Sequence, residues 1–215
     1  MRVSCTVLEA FRRWSDPEQQ WMSEADLLAS IRGEFKPTYE TLVGQGFGRV
    51  LERPDRYRVN RGYEYRAGSL LLFFSDDMMA PALALMDRRA VYEAKATKDY
   101  GDITVVSKAD QILGSALVEH KTTFGTFDFE KYASSYQWRL MVDMFQPAWV
   151  TYHVFLLKHA PEGLSLRGVE SFNLYPYPAL HDDCADLVRR FGEYATLRDL
   201  APVLVRTQTE YPTLV

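Results

Sequence analysis

The sequence has few cysteines and no long apolar run. Only two cysteines, Cys5 and Cys184, occur among its 215 residues, which excludes a zinc or iron–sulfur site built on three or four cysteines. Two distant thiols also give no sign of a disulfide framework and favour a reducing compartment. The longest apolar stretch, Leu70–Phe74, is far shorter than the roughly 20 residues of a membrane span, and residues 1–5 lack a signal-peptide pattern. We expect a soluble cytoplasmic protein with no membrane partner.

The sequence also lacks an excess of positive charge. It has 25 Lys and Arg against 29 Asp and Glu, a formal net charge of −4, so any nucleic-acid site must be a local basic patch. Hydrophobic residues make up 47% of the chain, which is enough for a sizeable core and excludes disorder as the main state. The length predicts one domain over 1–215. We divide it into N-terminal helices and a hairpin (1–89), a catalytic core (90–158), and a C-terminal strand, helix and tail (159–215).

Periodicity and capping signals predict the elements. Ser4, Ser23 and Thr38 are candidate N-caps of three helices before Pro54, and residues 56–74 alternate as strands. The remaining predictions are a helix over 76–86, strands over 91–98, 103–113 and 116–123, a helix over 128–145, strands over 149–157 and 164–174, a helix over 181–200, and a tail from Pro202 without a clear period. This order predicts the α/β class (α+β mixed sheet), with a central mixed β-sheet flanked by helices.

The hairpin between Lys108 and Lys121 carries the chemistry. If Gly114-Ser115 is a two-residue turn, Asp110 lies directly opposite Glu119, with Cβ atoms about 4.5–5.5 Å apart. Lys121 then leaves on the same face as Glu119. Like charges opposed in this way destabilise a hairpin, so a divalent cation such as Mg²⁺ or Mn²⁺, or in part Lys121, should offset them. Metal-activated water attacking a phosphodiester would follow. The alternative is an ordinary exposed hairpin with solvated charges.

The same residues resemble a known family. Asp110, the run Glu119-His120-Lys121, and the later run Ser134-Ser135-Tyr136-Gln137-Trp138 are similar to motifs of the PD-(D/E)xK nuclease superfamily. The similarity is greatest to the phage-type exonuclease branch, which includes lambda exonuclease and RecB-like nuclease domains. It covers residues 90–158 well and the rest in outline. The resemblance implies a restriction-endonuclease-like core.

The resemblance also implies roles for individual residues. Asp110 and Glu119 would bind Mg²⁺, for which Mn²⁺ can substitute, with help from the main-chain carbonyl of His120. Lys121 would assist the attacking water. Gln137 would support that lysine or contact DNA. The four residues Asp110, Glu119, Lys121 and Gln137 are therefore the predicted catalytic set.

The chain departs from the family pattern at two places. Met141 stands where many members have tyrosine, and the glycine-rich run Val43–Arg49 has no histidine where many members carry an early histidine or glutamate. Glu40 or Glu52 could supply that early acid, and the sequence does not choose between them. The glycine run also resembles a kinase phosphate loop, but no His-Arg-Asp or Asp-Phe-Gly motif follows. Close helix packing or backbone approach to a phosphate are the alternatives.

Arginines concentrate within residues 49–66, where tyrosines lie between them. This is the best candidate for a DNA-backbone surface, although a solvated hairpin would have the same composition. The predicted DNA-binding residues are Arg49, Arg53, Arg56, Arg58, Arg61, Tyr136, Trp138 and Arg139.

These observations together predict a Mg²⁺-dependent deoxyribonuclease. We expect an exonuclease that hydrolyses linear DNA in phage or prophage DNA processing or recombination, in the host-cell cytoplasm if it is phage-encoded. A single-strand-annealing or recombination protein is a possible partner. The alternatives are a structure-specific endonuclease resembling a junction resolvase, and a catalytically silent DNA- or protein-binding module. The sequence leaves polarity, strand preference and oligomeric state open.

Overall fold

The computed structural model describes residues 1–18, 22–161 and 163–206. Its elements in chain order are β1 (Arg2–Ser4), α1 (Cys5–Ser15), α2 (Glu24–Arg32), α3 (Tyr39–Glu52), α4 (Pro54–Tyr57), β2 (Arg58–Val59), β3 (Gly62–Ala67), β4 (Leu70–Ser75), α5 (Asp76–Leu83), β5 (Val91–Tyr100), β6 (Ile103–Leu113), β7 (Ala116–Thr123), α6 (Phe129–Ala133), α7 (Tyr136–Phe145), β8 (Trp149–Ala160), β9 (Gly163–Leu174), α8 (Leu180–Leu197) and α9 (Ala201–Arg206).

The central sheet has six strands in the described residues and is mixed. Its main path runs β1-β6-β7-β8-β9, and β5 pairs with β6 along its other edge. The β1–β6 and β7–β8 pairs are parallel, while β5–β6, β6–β7 and β8–β9 are antiparallel. Strands β2, β3 and β4 form a separate antiparallel sheet. The predicted α/β class, with a central mixed sheet flanked by helices, is confirmed.

Two apolar cores flank this sheet. The larger core joins α1, α7 and α8 to the sheet through residues such as Leu8, Leu140 and Phe191. The second core joins α3, α5 and the small sheet to β8 through Phe47, Phe74 and other apolar side chains. Burial of these side chains is what orients the helices on the sheet. No helix in the described stretches has the length and apolar composition needed to cross a membrane.

The capping predictions hold at the first three helices. The side chains of Ser4, Ser23 and Thr38 each accept a hydrogen bond from a backbone N–H of the following helix, and Ser23 forms a capping box with Asp26. These bonds satisfy N–H groups that a helix start leaves without a partner. Helix α3 ends two residues before Pro54, as the restriction that proline places on its neighbour favours.

Several boundaries differ from the predictions. The helix predicted over 128–145 divides into α6 and α7, because Ser135 accepts a hydrogen bond from the Gln137 N–H and caps a new helix. Residues 54–57 form the short helix α4, which takes Arg56 and Tyr57 out of the strand predicted from residue 56, since proline suits a first helical turn. Strand β1 and helix α9 were not predicted, and the helix predicted over 76–86 ends at Leu83 in the structure. Residues 207–215 of the predicted tail lie outside the described residues.

Candidate active site

Asp110 lies where the hydrogen-bond ladders of β6 open. The pairing of β6 with β7 covers only Gln111–Leu113, and the β5 ladder omits Glu93 opposite Asp110. Glu93 has a φ of 57°, an unusual backbone value for a residue with a side chain. These interruptions leave the backbone N–H of Asp110 available to a side chain instead of a neighbouring strand.

Two side chains replace the missing ladder bonds. The Asp110 N–H donates to Oε1 of Glu119 at 3.1 Å, and Oδ2 of Asp110 accepts from the His120 N–H at 2.9 Å. Each carboxylate thus bonds the main chain of the opposite strand. The structure therefore brings Asp110 and Glu119 together, as the register of the hairpin predicts.

The buried Glu119 and the partly exposed Lys121 form an ion pair beside Asp110. Glu119 is 1% exposed, and Nζ of Lys121 donates to its Oε2 at 3.0 Å. Burial raises the pKa of Glu119 to about 7, and the charge of Asp110 adds to this, while Lys121 acts in the opposite direction. Burial also acts to lower the pKa of Lys121, but the charge of Glu119, the neighbours Tyr152 and Asp110, and the hydrogen bond to Glu119 together outweigh it, and the net direction is upward. Lys121 is accordingly an ammonium ion at neutral pH.

The His120 side chain packs inside the protein. Its Nε2 lies 3.2 Å from Nε2 of Gln111, and its ring stacks on that of His153 with centroids 5.8 Å apart. Burial lowers the pKa of His120 to about 4, so the ring is neutral. Only the main-chain carbonyl of His120 remains as a candidate metal ligand.

A cleft of about 230 Å³ opens beside these residues, between α3 and the central sheet. Its lining residues are Gly44, Gln45, Gly48, Arg49, Glu52, Met86, Tyr92, Lys108, Asp110, His120 and Lys121. A Cβ on Gly44 would lie 2.8 Å from Oγ1 of Thr122 on β7. The glycine run thus lies within a helix and lets that helix approach the sheet, which supports the close-packing interpretation over the phosphate-loop one.

Of the two candidate early acids, Glu52 lines the cleft. Glu40 is exposed on the first turn of α3 and is not among the lining residues. Glu52 pairs with Arg49 at 2.9 Å. Burial, followed by Glu93, raises its pKa to about 7. The placement favours Glu52.

Sequence reasoning missed Glu93 and Lys108. Nζ of Lys108 lies 2.6 Å from both carboxylate oxygens of Glu93. Glu93 also lies 3.6 Å from Arg49. The signal was in the strand pairing, because an antiparallel β5–β6 register places Glu93 opposite Asp110.

The donor set fits Mg²⁺. Asp110 and Glu119 offer carboxylate oxygens and His120 a carbonyl oxygen, all hard ligands. Within residues 1–18, 22–161 and 163–206, no three side chains of the His, Cys, Asp and Glu types form a metal-binding cluster. Protein-bound Mg²⁺ commonly uses one or two carboxylates and completes its shell with water and phosphate. A cation would also offset the repulsion that raises the pKa of Glu119.

The predicted residues of α7 divide into different environments. The Gln137 side chain is half-buried and makes no hydrogen bond with the described part of the chain. Trp138, a predicted DNA-binding residue, is 4% exposed and donates from its indole N–H to the Ala133 carbonyl, so its side chain is packed inside the protein in this structure. The Arg139 guanidinium lies 4.6 Å from the Tyr136 ring centroid, and Tyr177 packs beside it. Arg139 is therefore a packing residue more than an open DNA contact.

The predicted arginine surface begins at the cleft and continues from the end of α3. Arg49 lies in the cleft. Arg53, Arg56 and Arg61 are exposed and form no ion pair within the described residues. Arg58 differs, because it pairs with Asp76 and lies over the Tyr63 ring. Arg56 lies over the Tyr57 ring, and none of these three guanidinium groups would have to give up an ion pair within the described residues to bind a phosphate.

The fold was compared with known proteins. No family model matches the sequence, and no curated protein matches it. The structure resembles an alkaline exonuclease, LHK-Exo, from Laribacter hongkongensis, with a TM-score of 0.51 and 11% identity over 100% of this chain and 95% of that one. A candidate exonuclease from Eubacterium rectale gives a TM-score of 0.51 and 11% identity over 94% of this chain and 80% of that one. This chain shares the overall fold of these two structures. At 11% identity, the likeness establishes the fold alone.

Proposed function

We propose that this chain is a Mg²⁺-dependent DNA nuclease, an exonuclease that shortens linear DNA in phage or prophage DNA processing or recombination. The observation that carries the proposal is the reciprocal bonding of Asp110 and Glu119 across the opened ladder, with Lys121 beside them. The fold shared with two exonuclease structures adds support. A buried carboxylate, Glu119, beside a second acid and with one ammonium group is costly for stability, which favours a functional role.

Each residue has a part in this proposal. Asp110, Glu119 and the His120 carbonyl would hold the Mg²⁺. The bound cation would supply positive charge to the scissile phosphate and acidify a water molecule. Lys121, as an ammonium ion held by Glu119 at 3.0 Å, would donate hydrogen bonds to the attacking water oxygen and to the charge that develops on phosphate. Its raised pKa makes it a poor proton acceptor, so it acts as an orienting and stabilising group.

The surroundings of the cleft would bind the DNA strand. Arg49 lines the cleft, and Arg53, Arg56 and Arg61 extend the positive surface beyond it. Neutralisation of phosphates by such groups makes binding weaken steeply with added salt. Gln137 lies in the first turn of α7 and would contact DNA or support Lys121 when substrate is bound.

The test uses end-labelled linear duplex DNA and a covalently closed circle. We expect Mg²⁺ to cause progressive shortening of the linear DNA, EDTA to abolish it, and the circle to remain intact. Asp110→Asn should lose both Mn²⁺ affinity and cleavage. Asp99→Asn, at an exposed position on β5, is the matched control and should retain both.

Other results would contradict the proposal. Cleavage of the closed circle would indicate an endonuclease of the junction-resolvase kind. Binding of DNA by the wild type without any cleavage would indicate a catalytically silent binding module. Full activity of Asp110→Asn would remove Asp110 from the site.

A further inference from the structure

The His120 side chain has no part in the proposed chemistry, which uses only its carbonyl group. Yet the ring occupies a defined position between Gln111 and Asp110. The side chain is 6% exposed. Its ring also stacks on His153, at 22° between planes, and Nδ1 of His153 lies 2.7 Å from Oγ of Ser171. These contacts fix the plane of the His120 ring.

Gln111 determines which nitrogen of that ring carries the proton. Nε2 of Gln111 lies 3.2 Å from Sδ of Met86 and 3.2 Å from Nε2 of His120. An amide nitrogen only donates, and its two hydrogens can each go to one of these atoms. Nε2 of His120 is therefore an acceptor. The proton of the neutral ring lies on Nδ1.

The protonated Nδ1 faces the carboxylate of Asp110. It lies 3.9 Å from Oδ2, an electrostatic contact longer than a hydrogen bond. The same oxygen accepts the main-chain N–H of His120 at 2.9 Å. Both donors of His120 thus act on one oxygen, which leaves Oδ1 of Asp110 for another ligand. The low exposure of the ring reduces the screening of this contact by water.

We propose that Gln111 and His120 are positioning residues that hold the Asp110 carboxylate in the orientation that binds the cation. Gln111 sets the ring proton, and the ring N–H with the main-chain N–H holds Oδ2. This inference rests on the proposed function, because the two side chains would act on the cation only through Asp110. Beyond the proposed function, it predicts that side chains that touch neither metal nor DNA change the affinity for the cation.

The experiment compares His120→Leu with His120→Asn. Both variants retain the main-chain N–H and carbonyl, but only asparagine places a side-chain N–H close to where Nδ1 lies. Calorimetry with Mn²⁺ should show about tenfold weaker binding for His120→Leu and nearly wild-type binding for His120→Asn. Cleavage by His120→Leu should recover at saturating Mn²⁺. Gln111→Leu should weaken Mn²⁺ binding less than His120→Leu, because the ring proton can still reach Nδ1.

The outcomes separate this inference from the proposed function. Wild-type affinity in His120→Leu would overturn it, and so would equal losses in the leucine and asparagine variants at similar melting temperatures, because the ring would then act by packing alone. If the wild-type protein binds no Mn²⁺ and cuts no DNA, the proposed function fails and the inference fails with it. If the wild-type protein binds Mn²⁺ and cuts DNA but His120→Leu binds Mn²⁺ with the same affinity, only the inference is overturned.

Discussion

Two buried carboxylates in this molecule have pKa values shifted in opposite directions, although their surroundings are similar. Glu119 on β7 and Asp143 on α7 have side chains that are 2% and 9% exposed, and each pairs with one lysine, Lys121 at 3.0 Å and Lys98 at 2.9 Å. Burial acts to raise the pKa of both. The net pKa of Glu119 is indeed raised, to about 7, but the net pKa of Asp143 is lowered.

The difference comes from the remaining neighbours. Asp143 also accepts hydrogen bonds from the Tyr100 hydroxyl at 2.5 Å and from Nδ1 of His181 at 3.0 Å. Glu119 receives one backbone N–H and faces the like charge of Asp110. A carboxylate with enough donors is a stabilising group, while two carboxylates that share one ammonium group leave a negative charge uncompensated. Glu119 is therefore the one that suits a cation, and Asp143 serves the fold.

The largest expected effect is on the cleavage rate, and it should distinguish the lysine paired with Glu119 from the lysine paired with Asp143. Lys121→Met should reduce the cleavage rate by about 100-fold to 1,000-fold, because a charged donor to the reacting groups is lost, while Mn²⁺ binding is largely retained. The matched variant Lys98→Met should cleave within about twofold of the wild type. The measurement is the initial rate on labelled linear DNA at saturating Mg²⁺. Equal losses in the two variants would contradict the distinction.

The second expected effect is on stability. Here substitution at the Asp143 site should have the larger effect, whereas for cleavage the larger effect is at the Glu119 site. Asp143→Asn should lower the free energy of unfolding by about 2 kcal/mol, because three donors lose their charged acceptor. Glu119→Gln should change it by less than about 1 kcal/mol, since relief of repulsion with Asp110 offsets the lost pair with Lys121. Urea unfolding in EDTA measures both values. A larger loss for Glu119→Gln would show that the acid pair stabilises the fold.

The sequence contained enough information to predict the pairing of the two acids. Gly114 has a φ of 60° and begins the two-residue turn that sets the register of β6 and β7. Because a hairpin register follows from local turn geometry, Asp110 opposite Glu119 could be predicted without any tertiary contact. The fold class likewise followed from the order of strands and helices.

The remainder depended on contacts between distant segments. The opening of the ladder at Asp110 coincides with the unusual backbone of Glu93, and no local pattern indicates a positive φ at a glutamate. Tyr136 and Trp138 flank Gln137 in the sequence, but helical periodicity could not say which of the two the core would bury, since that depends on the helices packed against α7. The division of that helix at Ser135 was hidden because apolar residues continue across it.

The third expected effect is a pH dependence that belongs to Asp143. Its pKa in the unfolded chain is about 3.9 and is lower in the folded protein. Its contribution to stability is therefore fully present above about pH 4 and is lost as pH falls through the folded-state pKa. The difference in unfolding free energy between wild type and Asp143→Asn should shrink as pH falls below about 4. A difference that grows below about pH 4 would contradict the lowered pKa.

The smallest expected effect tests one donor of Asp143. Tyr100→Phe removes the hydroxyl that donates at 2.5 Å and should cost about 1 kcal/mol of unfolding free energy. Tyr175→Phe is the control, because Tyr175 is 60% exposed and its hydroxyl contributes little. Cleavage should not change in either variant. If Tyr100→Phe slowed cleavage while the melting temperature fell only slightly, β5 would be transmitting the state of Asp143 to the acids on β6 and β7, and the two carboxylates would form one coupled system.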